Sequence, residues 1–254
     1  MPAAIVLAGG GPEPHLAPDL PSKAFLVLGG RPLLVRVTDA LRKARSIGRI
    51  LVVGPAEPLA SLLDSSVEIV PEQTTMVENI AAAVARLSGE PRVLAVASDL
   101  PLITAAAIEG FLAMCTGDAG LYYAIVPQAA VERRYLGARK TYVRVTDGVF
   151  TGSSVLLFDP GIIDSVRPLV ERIMAGRKKP WLLAQLFGWS LATRLIAGTL
   201  SIADAEARVQ EVTGIRVKAV IVESPELALD IDAERPENIK ILRAALEPDG
   251  APGS

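Results

Sequence analysis

The stretch that decides the fold is AAIVLAGGG, residues 3–11 of the 254-residue chain. Its first six residues form a continuous apolar run, which is typical of a strand buried on both faces of a parallel sheet. Three glycines follow at once. Ligands of open α/β sheets bind at the carboxyl ends of the strands, and successive glycines let backbone N–H groups converge on an anion. The stretch therefore predicts a first strand followed by an anion-binding loop.

The rest of the sequence alternates short apolar runs with amphipathic segments, which favours an α/β fold with a mostly parallel sheet. Further strands are predicted at 49–54, 67–70, 92–97, 121–126 and 215–222, with a hairpin over 142–158 that turns at Asp147-Gly148. Helices are predicted at 32–44, 77–87, 104–114, 160–175, 181–197 and 202–212, and a terminal helix ends near Leu246.

Composition excludes several classes of site and partner. The formal net charge is -2, so the chain has no general attraction to nucleic acid. One cysteine excludes an internal disulfide, and one histidine leaves little from which to build a histidine metal site or a Ser-His-Asp triad. The first residues lack a basic segment and a long apolar run, so we expect a cytoplasmic protein.

One apolar stretch leaves two interpretations open. Residues 181–200 are nearly long enough to span a bilayer and follow three basic residues at 177–179. Arg194 and several polar residues interrupt the stretch, and a charge within a membrane span is costly. We expect a buried or half-buried helix pair, with a helix lying on a membrane surface as the alternative.

A lysine and an aspartate are the candidate catalytic residues. Lys23 follows the glycine loop, where a compact ammonium group can neutralise charge developing on a polyphosphate. Asp99 follows the apolar run at 92–97, so it is expected at the same edge of the sheet as the glycines. Mg²⁺ prefers oxygen ligands of this kind. The alternative role for Asp99 is to cap the next helix, but Thr104 is better placed for that.

These motifs together resemble the MobA-like NTP transferase family. The residues that carry the resemblance are a strand ending in Leu7-Ala8-Gly9-Gly10, the later lysine, Gly30-Arg31-Pro32-Leu33 opening a helix, and Asp99. The resemblance covers residues 3–102 and, less closely, the segment LDIDAERPENI at 229–239. It implies a GT-A/Rossmann-like three-layer α/β/α sandwich with a mostly parallel central sheet and extra C-terminal helices.

The resemblance also implies an activity. It indicates Mg²⁺-dependent (or Mn²⁺-dependent) transfer of a nucleoside monophosphate from an NTP, CTP or GTP above all, to a phosphorylated small-molecule acceptor with release of pyrophosphate. The nucleotide would be bound by Leu7, Ala8, Gly9, Gly10, Gly11, Lys23, Asn79 and Ser98. We expect one domain over residues 1–246, with a nucleotide-binding half at 1–120 and an acceptor half at 121–246. The acceptor half would contain a helical insertion at about 160–213, and residues 247–254 would form a flexible tail.

The resemblance assigns the metal to Asp99 and to one aspartate of the 229–239 segment. In an extended strand Asp230 and Asp232 would lie on the same face, so both could approach one ion. We favour Asp232, with Asp230 as the alternate. The competing interpretation is that Asp232 only caps the terminal helix.

A basic segment predicts the acceptor side. Guanidinium groups suit a phosphorylated ligand, so the candidates are Arg133, Arg134, Arg139 and Lys140, with Thr151 and Gly152 by resemblance. A solvated loop is the alternative interpretation of this segment. Asn79 is the candidate that contacts the nucleobase, although Thr75 and Glu78 beside it also form a capping-box pattern.

Two rival functions remain open at this point. Relatives usually carry an arginine in the first loop, and residues 11–22 contain none, which would fit a sensor that binds nucleotide without catalysis. A GT-A glycosyltransferase is the other rival. It would carry an Asp-x-Asp motif where this chain has Ser98-Asp99-Leu100-Pro101, which disfavours it. The oligomeric state, including a homodimer, stays open.

Overall fold

A computed structural model describes residues 1–176 and 188–246 of the chain. Its core is an eight-stranded sheet in the order β10-β7-β9-β6-β1-β4-β5, with β8 paired to β9. A separate two-stranded ribbon is formed by β2 and β3. The strands are β1 Ala3–Leu7, β2 Val27–Leu28, β3 Arg31–Pro32, β4 Ile50–Gly54, β5 Glu68–Pro71, β6 Val93–Ala97, β7 Leu121–Pro127, β8 Val143–Val145, β9 Gly148–Phe158 and β10 Val217–Ile221.

The large sheet is mostly parallel, as expected. Strand β1 pairs in parallel with β4 and β6, and β10 pairs in parallel with β7. Strand β9 runs antiparallel to both β6 and β7 and so joins the two parallel groups. The carboxyl ends of β1, β6, β7 and β10 therefore lie at one edge of the sheet, which we call the active edge.

Helices cover both faces of the sheet. In the described part of the chain they are α1 Leu33–Lys43, α2 Ala56–Leu62, α3 Met76–Val84, α4 Ala105–Met114, α5 Gln128–Arg134, α6 Ile163–Gly176, α7 Trp189–Ile196, α8 Ile202–Thr213 and α9 Pro236–Leu246. Helices α1 and α4 pack on the face that carries Ala4 and Val6, and α3 and α6 pack on the face that carries Ala3 and Ile5. This arrangement is the predicted three-layer sandwich.

Local signals in the sequence place several helix starts. Thr104 caps α4 by accepting a hydrogen bond from the N–H of Ala107 at 3.1 Å. Thr75 and Glu78 form the capping box that opens α3. Because a side-chain oxygen satisfies a backbone N–H that the first turn leaves free, these residues set where the helices begin.

The structure corrects three predictions of secondary structure. Residues 128–134, where no helix was predicted, form helix α5. The hairpin turns at Thr146-Asp147 rather than at Asp147-Gly148, because Val145 pairs with Gly148. The segment around Asp230 and Asp232 is not a strand, so the argument that placed both on one strand face does not hold.

The predicted helix at 181–197 lies partly outside the described residues, which include only its last part, α7. In α7, Trp189 and Ile196 are 60% and 88% exposed, whereas Leu191 and Ala192 are half-buried, so this part of the predicted helix is at most half-buried. The predicted tail at 247–254 also lies outside the described residues. Within 1–176 and 188–246, none of the helices combines the length and the apolar character that a membrane span requires.

Candidate active site

The glycine loop turns away from the end of β1 at the active edge. Gly10 and Gly11 have φ angles of 106° and 75°, a left-handed region that glycine enters at little cost. The loop returns at Ser22, whose hydroxyl donates to the carbonyl oxygen of Ala8 at 2.6 Å and accepts from the N–H of Ala24. Ser22 therefore closes the loop against the strand that it leaves.

Lys23 begins a 3-10 turn, Lys23–Phe25, directly after that closure. Its ammonium group donates to Oδ2 of Asp99 at 2.6 Å and to the carbonyl oxygen of Ile231 at 3.1 Å. One third of the Lys23 side chain is exposed, against 11% of the Asp99 side chain. The lysine thus reaches from the loop to two other segments and keeps one side open to solvent.

Asp99 lies just beyond β6, beside the end of β1. The N–H of Ser98 donates to the carbonyl oxygen of Leu7 at 3.2 Å, which continues the pairing of the two strands. The carbonyl oxygen of Asp99 accepts from the N–H of Ile231 at 3.0 Å. Oδ1 of Asp99 is buried and has no hydrogen-bond partner, although Oδ2 is paired. An orphaned buried carboxylate oxygen is costly unless a ligand satisfies it.

Burial and charge act together on the ion pair. Burial raises the pKa of Asp99, Lys23 opposes that rise, and the negative charge of Asp230 adds to it. Burial by itself would lower the pKa of Lys23, but the charge and hydrogen bond of Asp99 outweigh it, and the pKa is raised. Lys23 is therefore held in its charged form. It lies next to a carboxylate whose buried charge is only partly compensated by this one ammonium group.

Asp230 is the second carboxylate whose charge acts on both members of this pair. Its Oδ1 lies 2.5 Å from the ammonium nitrogen of Lys140, whose side chain is only 9% exposed. Asp232, the aspartate favoured from the sequence, accepts from the N–H of Glu234 at 2.9 Å and pairs with Arg235 at 3.2 Å. Asp230 thus acts on the Lys23–Asp99 pair through its charge, while Asp232 stabilises the turn before α9.

The predicted acceptor residues divide into two groups. Lys140 joins the site through Asp230. The three arginines form ion pairs elsewhere: Arg133 pairs with Glu223, Arg134 with Glu226, and Arg139 with Glu237. The arginine side chains are 60–77% exposed, so they do not form a closed phosphate clamp in this conformation.

Thr151 and Gly152 lie on β9, opposite the carboxyl end of β7. A Cβ added at Gly152 would clash with the hydroxyl of Tyr123, which donates to the carbonyl oxygen of Ser153 at 2.9 Å. Burial raises the pKa of Tyr123, and the charge of Asp230 raises it further. Tyr123 therefore contacts Gly152 and lies within reach of the charge of Asp230. Sequence reasoning assigned Tyr123 only to a strand, because an alternating strand pattern does not separate a site residue from a core residue.

The candidate base-contacting residue is held by local hydrogen bonds. The side-chain oxygen of Asn79 accepts from the N–H of Gln73 at 2.5 Å, which ties the start of α3 to the loop after β5. In the same loop Glu72 lies over the glycine turn, since a Cβ added at Gly9 would clash with its carboxylate. Glu72 carried no sequence signal as a site residue, because only the fold brings the end of β5 to the end of β1.

A divalent cation fits the donors that are present. The described part of the chain contains no group of three or more His, Cys, Asp or Glu residues that could hold a metal. Mg²⁺ does not need such a cage, since it is usually held by one or two carboxylates together with substrate phosphates. Oδ1 of Asp99, with Asp230 near it, supplies a donor set of that kind.

Comparison with known proteins identifies the family of the chain. A sequence profile described as the MobA-like NTP transferase domain matches residues 4–195. A solved structure of a hypothetical transferase from Thermus thermophilus is 35% identical, with a TM-score of 0.82, over 94% of this chain and 99% of that one. None of the curated proteins compared with the chain matches its sequence.

Two more distant structures share the fold. The structure of CMP:2-keto-3-deoxy-manno-octonic acid synthetase with CTP has a TM-score of 0.59 at 12% identity, covering 97% of this chain and 98% of that one. The structure of 4-diphosphocytidyl-2C-methyl-D-erythritol synthase from Anaerococcus prevotii has a TM-score of 0.57 at 14% identity, covering 96% and 95%. At these identities the likeness extends to the fold.

Proposed function

Because this chain belongs to the MobA-like NTP transferase family, we propose that it transfers a nucleoside monophosphate from an NTP to a phosphorylated small-molecule acceptor. The observation that carries the proposal is the ion pair of Lys23 and Asp99 at the active edge, with Oδ1 of Asp99 buried and unpartnered. The pair lies at the carboxyl ends of β1 and β6, where the glycine loop also begins. Phosphate ligands of α/β sheets bind at such an edge.

The reaction is a substitution at the α-phosphorus. An oxygen of the acceptor phosphate forms a new bond to this phosphorus, and the bond from it to the bridging oxygen of the β-phosphate breaks. Pyrophosphate leaves with the electron pair. An acceptor phosphate is already anionic near neutral pH, so the attack requires no general base. This suits a chain with a single histidine, His15, which is exposed.

The residues of the chain act by position and charge. Gly10 and Gly11 both have positive φ, a conformation in which successive backbone N–H groups can point toward one anion. In this proposal these N–H groups bind the polyphosphate. Lys23 is charged, and its partly exposed side faces solvent at the same edge, so it offsets charge on the leaving pyrophosphate. Phosphoryl-type transfer depends largely on such positioning and electrostatics.

Asp99 and Asp230 would hold Mg²⁺ or Mn²⁺ in this proposal, with Asp230 preferred over Asp232 because its charge acts on Asp99 and Lys23. A bound divalent cation would supply charge neutralisation on the phosphate oxygens. It would also satisfy the orphaned Oδ1 of Asp99. Lys140, paired with Asp230, lies where an acceptor phosphate could replace the carboxylate as its partner.

We favour CTP as the nucleotide, because both distant structural neighbours carry cytidine chemistry in their names. NTPs are cytoplasmic metabolites, so we also propose a cytoplasmic location. The second candidate function is nucleotide binding without catalysis. The absence of arginine from residues 11–22 favours it, since the relatives usually place a triphosphate contact there.

One assay separates the two functions. Purified protein is incubated with each of the four NTPs, Mg²⁺ and pooled phosphorylated metabolites, and pyrophosphate release is measured. We expect release with one NTP, and its loss in the Asp99→Asn variant. A chain that binds an NTP tightly with Mg²⁺ but releases no pyrophosphate with any acceptor would instead be the binding protein.

A further inference from the structure

A large apolar cavity lies on the face of the sheet covered by α6 and α8. Its volume is about 590 Å³, within the range of small-molecule sites. Strands β7 and β10 form its floor and helices α6 and α8 its roof. The residues that define these walls are Leu121, Ile125 and Val217 below, and Val166, Val170 and Val209 above.

The charges that border this cavity neutralise each other. In the described lining, the charged residues are Glu206 and Lys218, whose side chains pair at 3.1 Å. Glu206 also accepts from the N–H of Ala219 at 2.8 Å. An apolar cavity without free polar partners holds water poorly, and its lining lacks the contacts that a filled interior would give. The cavity is therefore suited to a hydrocarbon ligand.

The cavity begins at the proposed acceptor site. Thr151 and Gly152 line it at the end where β9 pairs with Val126 and Ile125, near the active edge. Tyr123 also lines the cavity, and the charge of Asp230 raises the pKa of its hydroxyl. The opposite end lies at Leu121, four residues back along β7, which is roughly 13 Å at the usual rise of a strand. The cavity thus runs from the active edge along β7, between the sheet and helices α6 and α8.

We propose that this cavity binds the hydrocarbon chain of an amphiphilic phosphomonoester, the acceptor of the nucleotidyl group. The proposal rests on the proposed function, because the cavity alone does not define what reacts. The phosphate of such an acceptor lies at the Thr151–Gly152 end of the cavity, and its chain extends toward Leu121. The cavity would therefore favour such an acceptor over short polar sugar phosphates, which have no hydrocarbon chain to fill it.

The test uses the full chain and a series of n-alkyl monophosphates, butyl, hexyl and octyl, titrated by calorimetry below their micelle concentrations. Each buried methylene should strengthen binding about fourfold. An affinity independent of chain length overturns the proposal. So does an absence of binding, which is the expected result if the chain's own apolar residues 181–187 occupy the cavity.

A pair of variants on α8 locates the binding. Ala205 lines the cavity, and Ala207 on the same helix is exposed. Ala205→Phe should weaken octyl phosphate binding at least tenfold, whereas Ala207→Phe should leave it unchanged. Circular dichroism and thermal unfolding check that both variants fold. Equal loss in both variants, or in neither, overturns the assignment to this cavity.

A parallel titration of wild-type protein with CTP and Mg²⁺ distinguishes the two proposals. Tight nucleotide binding without a chain-length effect for the alkyl phosphates overturns the cavity proposal alone. A chain-length effect that is lost in Ala205→Phe supports binding of the hydrocarbon chain in the cavity. If no NTP binds, the proposed function is overturned, and with it the role of this ligand as acceptor.

Discussion

The ammonium group of Lys23 and the carboxylate of Asp99 lie 2.6 Å apart, although 76 residues separate them along the chain. Lys23 ends the return of the glycine loop, and Asp99 follows β6. A buried ion pair is weak support for stability by itself, because desolvation offsets most of its Coulomb energy. This pair also leaves one carboxylate oxygen unpartnered. Both features fit a site arranged for a third, charged group.

Removal of the Lys23 charge should disable the reaction while the fold persists. Lys23→Met removes the ammonium group that would offset charge on the leaving pyrophosphate, and we expect the rate of pyrophosphate release to fall about 10²–10³-fold. Lys43→Met is the control, since Lys43 is an exposed lysine in the last turn of α1. Turnover of Lys23→Met within threefold of the wild type would contradict the role.

The two aspartates of the 229–239 segment should behave differently. Asp230→Asn removes a charge that acts on Asp99, so the Mg²⁺ concentration for half-maximal activity should rise about 10–100-fold. Asp232→Asn keeps an acceptor for the N–H of Glu234, so the Mg²⁺ concentration for half-maximal activity should change less than threefold. Titration of activity with Mg²⁺ measures both. The reverse order of effects would return the metal role to Asp232.

Closure of the glycine loop by Ser22 should matter for stability and for nucleotide binding. Ser22 is 1% exposed, and Ser22→Ala leaves the buried carbonyl oxygen of Ala8 without its donor. We expect a loss of about 1–3 kcal/mol in the free energy of unfolding, measured in urea, and a higher KM for the NTP. Ser61→Ala is the control, since it removes a hydrogen bond to the carbonyl oxygen of Pro58 at an exposed position. It should lower the free energy of unfolding by less.

The contact of Gly152 with Tyr123 should appear as coupling between two substitutions. Gly152→Ala places a methyl group against the Tyr123 hydroxyl, and overpacking of this kind costs about 1–3 kcal/mol. Adding Tyr123→Phe removes the clashing oxygen and should recover part of that loss. Urea unfolding of both single variants and the double variant gives the coupling energy. Simple additivity would show that the hydroxyl is not the obstacle.

Acid should remove one specific contribution to the start of α8. Hydrogen bonds from the hydroxyl of Ser201 and from Arg194 and the backbone hold the pKa of Asp204 at about 2, below the usual 3.8. Because the pKa is lowered in the folded chain, the stabilisation is present above 3.8 and is lost as the pH falls through about 2. The Tm of Asp204→Asn should therefore lie below that of the wild type at pH 6, and the two should converge near pH 2. A difference that stays constant with pH would contradict this assignment.

Much of the fold could be predicted from local patterns. The apolar run before Gly9 and the capping threonine at position 104 are readable from neighbouring residues alone. Helix α5 could not be read in this way. It is seven residues long and rich in arginine, and it is stabilised by burying Ala130 and Val131 against the sheet. Short helices gain most of their stability from such packing, which the local sequence does not display.

The sequence by itself determined that the glycines and Asp99 follow strands that can end at one edge of the sheet. Only the tertiary structure decided that Lys23 pairs with Asp99 and that Asp230 pairs with Lys140. The backbone of Ile231 pairs with Asp99 and Lys23 from a distant part of the chain, and the charge of the neighbouring Asp230 acts on both. Hydrogen bonds across 208 residues depend on where separate elements pack, and residue spacing within a motif does not encode that position.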